Sequence, residues 1–263
     1  MNLGLRERVA IVGGSTCGIG KAVALSLANE GANVTIWGPT DDIRQTSMDI
    51  SRITAQSHVL PIRTNGYSKE DLKRVVLDTM NRFERIDILI NNLDVFSLNG
   101  AAVISPRNDI DVDKNYIGTS EDMIHQVVPF MKQQRWGRII NLISAALDKY
   151  GNKPHIPVEI QKYTSEMVST LSNQLGTFKI TVNNVISTCI LTDEIRSIYE
   201  HEATNKDVSL DTLLGAISER LPMERLGAPE ELGDLVAFLS SERAGYMTGD
   251  TILMDGGALS HGV

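Results

Sequence analysis

Short apolar, β-branched runs recur along the chain, separated by longer stretches whose apolar positions follow a helical period. RVAIVG (8–13) and NVTIW (33–37) read as strands, followed by HVLPI (58–62) and IDILIN (86–91). GRIINLIS (137–144), ITVNNVI (180–186) and DTILMD (250–255) complete the series. Between them SKEDLKRVVLDTMNRF (68–83) is amphipathic, with Ser68 and Asp71 placed for a capping arrangement. APEELGDLVAFLSS (228–241) carries Pro229 in a first helical turn. Strands alternating with helices build βαβ units, and so an α/β fold with a parallel sheet and helices on both faces. Segment 192–227 breaks the alternation and reads as one or two helices outside the sheet. Ligands of an open α/β sheet bind beyond the carboxyl ends of its strands. An excursion that follows strand 180–186 lies on that side, either as a substrate lid or as a plain surface insertion.

Composition narrows the partners. The 263 residues suit one domain, residues 1–263. A net charge of −8 argues against nucleic acid or an anionic membrane. Two cysteines, Cys17 and Cys189, build neither a disulfide framework nor a metal site. No apolar run reaches the roughly 20 residues of a membrane span, and the start shows no signal-peptide pattern. A cytoplasmic protein acting on a small molecule is the expectation.

The first chemistry-bearing motif is IVGGSTCGIGKAV (11–23), which follows the first strand and opens a helix. Gly14, Gly18 and Gly20 allow a tight turn and close backbone approach to a phosphate. The helix N-terminus then offers N–H groups and partial positive charge to a pyrophosphate. A glycine triplet alone is a weak signal; its place after an N-terminal strand makes it stronger.

With these residues in view the chain resembles the short-chain dehydrogenase/reductase family from end to end. GGSTCGIG looks like its TGxxxGIG loop, with Gly13 for the threonine. DILINNLD (87–94) is similar to the strand ending NNAG, with Leu93 and Asp94 for Ala-Gly. GRIINLIS resembles the strand that ends in the catalytic serine, and residues 227–257 resemble the family's carboxyl end. The resemblance implies a seven-stranded Rossmann-type sheet, NAD or NADP as cofactor, and a homodimer or homotetramer. By position it implies that Gly14, Gly18, Ile19 and Gly20 hold the pyrophosphate. Asn65 would meet the adenine and Asn91 the adenosine ribose. Ile190 and Thr192 would meet the nicotinamide carboxamide and phosphate. After the second strand, Gly38 and Pro39 supply neither the acid that suits NAD nor the arginine that suits NADP. Asp41 and Asp42 would repel a phosphate, which favours NAD. Trp37 reads as a strand-end packing residue near the expected adenosine.

The resemblance also implies a serine, an asparagine, a tyrosine and a lysine at the reaction centre. Ser144 and Asn115 fit the first two. The tyrosine falls 13 residues after the serine, at Pro157, and the lysine four further on, at Gln161. Counting back 22 residues from Asn183 gives the same Gln161. Tyr163 is displaced about 240° round a helix from position 157 and has Met167 four residues on. Tyr150, Lys153 and His155 fall in the intervening loop as alternative proton donors. Gln161 can hydrogen-bond a ribose hydroxyl but brings no charge. Ser187-Thr188 replaces the usual Pro-Gly. Three functions stay open: a non-standard oxidoreductase acting on a polarised C=C, C=N or C=O bond; a non-redox cyclase, isomerase or dehydratase; and a catalytically silent assembly partner.

Overall fold

Seven strands of the computed structural model form one parallel sheet, in the order Val59–Arg63, Asn33–Gly38, Val9–Val12, Ile88–Asn92, Gly137–Ser144, Ile180–Ser187 and Thr251–Met254. The structure describes residues 2–54, 57–64, 68–92, 110–147, 154–155 and 158–259, with the side chains of 110–117, 146–147, 154–155 and 158–160 excepted. The first half runs β1 (Val9–Val12), α1 (Gly18–Asn29), β2 (Asn33–Gly38), α2 (Asp42–Ile53), β3 (Val59–Arg63) and α3 (Lys69–Phe83). It continues through β4 (Ile88–Asn92), α4 (Ile110–Gln134) and β5 (Gly137–Ser144), then the short pair β6 (Ala146–Leu147) and β7 (Pro154–His155). The remainder is α5 (Val158–Leu175), β8 (Ile180–Ser187), α6 (Asp193–Asn205), α7 (Leu210–Ser218), α8 (Pro229–Leu239) and β9 (Thr251–Met254).

The strands read as unbroken apolar runs because both faces are covered. Side-chain alternation sends Ala10, Val12, Ile88, Ile90, Ile140 and Leu142 to one layer, against Val23 and Leu27 of α1 and Leu232 and Val236 of α8. Ile11, Leu89, Ile139 and Val182 go to the other, against Leu72 and Val75 of α3, Val127 and Met131 of α4 and Val168 of α5. Ser68 caps α3 as its spacing predicts, its Oγ accepting from the Asp71 N–H at 3.0 Å. The excursion after β8 resolves into α6 and α7, which share a small core of Tyr199, Ala203 and Leu213. No helix among the described residues is long and apolar enough to cross a membrane.

The amino ends of the central strands are tied by charge. Asp87, fully buried, accepts from Arg8 at 3.0 Å, from Arg85 through two bonds at 2.7 Å, and from the Val9 N–H at 2.9 Å. Arg8 also reaches Glu242 and lies over the Trp136 ring, and Arg138 lies over the same ring. Burial lowers the Arg138 pKa to about 10, which leaves it charged at neutral pH.

At the entry to α8, Glu231 accepts two 2.7 Å bonds from Arg225 and one of 2.8 Å from the Ala228 N–H. The Arg225 bonds first, then the backbone bond, bring its pKa from 4.5 to about 2. A depressed carboxylate pKa contributes stability above the unfolded value and loses it as pH falls through the folded one. Glu231→Gln is therefore expected to melt below the native chain at neutral pH, with the gap closing between pH 4.5 and about 2. Melting temperature followed against pH checks this; a gap constant across that window refutes it.

Candidate functional site

The loop between β1 and α1 is held against β4. The Gly13 N–H donates to the Ile90 carbonyl at 3.1 Å, and the Asn92 Nδ2 donates to the Gly14 carbonyl at 3.3 Å. Gly14 has φ +56°, and a Cβ there would lie 2.6 Å from the Asn92 carbonyl oxygen. A Cβ on Gly20 would lie 2.1 Å from the Gly14 carbonyl oxygen, so the first turn of α1 packs directly on the loop. Buried Ser15 fixes the loop from below, its Oγ donating to Val12 and its N–H to Trp37. Helix α1 begins at Gly18 with no side-chain cap at Cys17 and no acidic residue in its first turn. An uncapped helix start on a bare backbone loop fits a pyrophosphate.

The opposite wall is built by the ends of β5 and β8. Ser144 is half-buried and pairs in register with Ser187. The Ala145 N–H donates to the Ser187 carbonyl at 2.8 Å, and Thr188 Oγ1 donates to the Ala145 carbonyl at 3.2 Å. The chain then turns through Cys189, at φ +57°, and Ile190 bridges Gly227. Burial pushes the Cys189 thiol pKa up, so it is a poor nucleophile. Thr192 caps α6, accepting from the Ile195 N–H, and its Cγ2 lies 3.5 Å from where a Cβ on Gly18 would be. The glycine loop, Asn92 and Thr192 thus meet where the strand order reverses between β1 and β4, the crevice where dinucleotides bind in such sheets.

Beneath this crevice lies an asparagine ladder. Asn91, 3% exposed, donates to Asn141 at 2.9 Å; Asn141 donates to Asn184 at 3.0 Å; Asn184 donates to Thr251 at 3.3 Å. Registers Asn91↔Asn141, Asn141↔Asn184 and Asn184↔Thr251 put all four side chains on one face. The Asn91 amide is thereby committed to the sheet, and its neighbour Asn92 makes the contact with the loop. The sequence carried the signal as an Asn at the same register of three strands, in LINN, IINL and VNNV.

The expected reaction-centre positions are distributed as follows. Asn115 lies on α4 and Gln161 on α5, where its side chain is exposed. Tyr163 donates to the exposed Glu121 across the groove between α4 and α5, which Ile124, His125 and Met167 also line. Burial and the Glu121 carboxylate push the Tyr163 pKa up, making it a poor acid. Asn65, Leu93, Asp94, Tyr150, Lys153 and Pro157 lie outside the described residues. The backbone of His155 pairs with Ala146, which returns it to the chain just past Ser144. Trp37, 4% exposed, packs in the core under the loop instead of facing a ligand. Among the described residues no acidic, His or Cys group is placed to hold a metal.

A family model described as Enoyl-(Acyl carrier protein) reductase matches residues 14–259. The chain is 30% identical to the 3-oxoacyl-(acyl-carrier-protein) reductase FabG of Thermotoga maritima over 261 residues, covering 96% of this chain and 98% of that one. It is 28% identical to the NADPH-dependent reductase BacG of Bacillus subtilis, covering 97% and 99%. The L-sorbose reductase of Gluconobacter frateurii, solved with NADPH and L-sorbose, superposes with a TM-score of 0.86 at 24% identity, over 98% of this chain and 99% of that one. The fold, the glycine loop and a match spanning nearly the whole length together make this chain a member of the short-chain dehydrogenase/reductase family.

Proposed function

We propose that this chain binds a nicotinamide dinucleotide and directs a hydride to a polarised C=C, C=N or C=O bond of a small molecule, without the family's tyrosine and lysine. One observation carries the binding half: a glycine loop so close to α1 that no Cβ fits at Gly20. Relatives named as reductases, one of them NADPH-dependent, support it. When bound, the cofactor supplies the hydride; the chain supplies position. Gly14, Gly18, Ile19 and Gly20 hold the pyrophosphate and Asn65 the adenine. Asn91, held by its ladder, sits by the adenosine ribose. Ile190 and Thr192 face the nicotinamide end. Gln161 offers a neutral hydrogen bond to the ribose, Ser144 orients the substrate atom that gains the proton, and Asn115 supports it. Helices α6 and α7 close over the substrate, and the working unit is a homodimer or homotetramer.

Pro157 and Gln161 carry the second half. A missing general acid costs about 10²–10⁴-fold, which is severe for a plain ketone. An already polarised C=C or C=N bond needs less help, and solvent or a proton held at Ser144 suffices. The same two residues favour a second reading, a non-redox enzyme or a silent partner on the old scaffold. The test is NADH and NADPH oxidation with a panel of enones, imines and ketones. Turnover is expected with the first two classes and to fall about tenfold or more in Ser144→Ala. No oxidation of either cofactor with any member sinks the oxidoreductase reading and leaves the second.

A further inference from the structure

Ser187 and Thr188, at the end of β8, stand where the family usually has Pro-Gly. A proline fixes its own φ; this chain lacks that restraint and fastens the segment by hydrogen bonds instead. Ser187 pairs in register with Ser144, each the last residue of its strand. The ladder runs one rung further, where the Ala145 N–H donates to the Ser187 carbonyl at 2.8 Å. Buried Thr188 then adds a rung made by a side chain, its Oγ1 donating to the Ala145 carbonyl at 3.2 Å. Its own N–H donates to the Met254 carbonyl of β9 at 3.4 Å. Cys189 Sγ lies 3.6 Å from the same hydroxyl. A threonine hydroxyl has one proton, which goes to Ala145, so the thiol is the donor in that contact. The Thr188 side chain is oriented from two sides, and the residue after Ser144 has both its N–H and its carbonyl held by the end of β8. Among the described residues the Ser144 hydroxyl has no hydrogen-bond partner of its own, so its place depends on the backbone that carries it.

We propose that Thr188 is a positioning residue for Ser144: its hydroxyl clamps the Ala145 peptide and so sets the serine hydroxyl against the substrate atom that gains the proton. The inference rests on the oxidoreductase reading above and on the role given there to Ser144. Pro157 and Gln161 bring no acid, so the rate leans on where Ser144 stands. A side chain without a hydroxyl at position 188 takes a donor from the buried Ala145 carbonyl and leaves the turn after Ser144 free to shift. A misplacement of about 1 Å at a group that orients substrate costs up to about 10²-fold in rate, so a single hydrogen bond at this turn has a measurable effect.

The experiment is a double-mutant cycle of Thr188→Val and Ser144→Ala in the full chain, read as kcat and KM for an enone or imine that the native chain turns over. Valine keeps the shape of threonine and removes the hydroxyl. Thr188→Val is expected to lower kcat about fivefold with KM within about twofold, and Thr188→Ser, which keeps the hydroxyl, to restore it. In the Ser144→Ala background the same substitution should change kcat by less than about 1.5-fold, because the group it positions is gone. Hydrogen exchange at the Ala145 amide should quicken in Thr188→Val and recover in Thr188→Ser, with dinucleotide affinity unchanged in both. If Thr188→Val does not fold, Thr188→Ala takes its place. An unchanged kcat in the variant without the hydroxyl, or an equal fall with and without Ser144, overturns the inference and leaves the oxidoreductase reading intact. A native chain that oxidises neither cofactor with any member of the panel overturns that reading and this inference with it.

Discussion

Pro157→Tyr combined with Gln161→Lys is expected to raise ketone reduction by about 10²–10⁴-fold, the usual worth of a positioned general acid. Two spacings, one forward from Ser144 and one back from Asn183, converge on Gln161. Ser144 closes β5, and Asn183 lies on β8 in register with Ile140. Gln161 stands on the first turns of α5 with an exposed side chain, so a lysine there meets no packing barrier. The lysine works by lowering the tyrosine pKa, so each single substitution should recover far less than the pair. The readout is kcat/KM for a simple ketone across pH, with a new ionisation in the double variant that the Gln161→Lys single variant lacks. A double variant that folds, still binds the dinucleotide, and stays within about threefold of the native rate would refute the assignment of both positions.

The fold was legible because burial on both faces forces strands into continuous apolar runs, and all seven sheet strands stand where such runs occur. The glycine loop was legible for a related reason: contacts this close exclude every side chain, so sequence records them as Gly14 and Gly20. What sequence concealed was pairing between distant elements. Asn91 bonds to Asn141 50 positions away, and only strand register joins them. Asp41 read as a repulsive charge because Arg63, which neutralises it, arrives from β3. Tyr163 reads as displaced from position 157 by helical geometry alone; its contact with Glu121 required the packing of α5 on α4. The short pairing of His155 with Ala146 has no sequence pattern behind it, since two residues carry no period.

Asp87→Ala is expected to destabilise the chain by about 3–5 kcal/mol without weakening nucleotide binding. The carboxylate is fully buried and satisfies three partners at once: Arg8, Arg85 and the Val9 N–H. Removing it leaves the Val9 donor buried and unpaired and two guanidinium groups without their counter-charge. Arg8 keeps Glu242 and the Trp136 ring, and Arg85 is 41% exposed and recovers water, which holds the loss near the lower end of that range. For a domain of this size the melting temperature should fall by roughly 6–12 °C. Asp87→Asn keeps an acceptor for Val9 while losing the charge, so it should fall between the two. Urea unfolding, which leaves ionic strength unchanged, separates these cases. The knot lies at the amino ends of β1 and β4 and the glycine loop at their carboxyl ends, so dinucleotide affinity in the folded variant should match the native chain. A loss below about 1 kcal/mol would show that the charge network is dispensable to the sheet. A loss of affinity in the still-folded variant would show that the two ends of these strands are coupled.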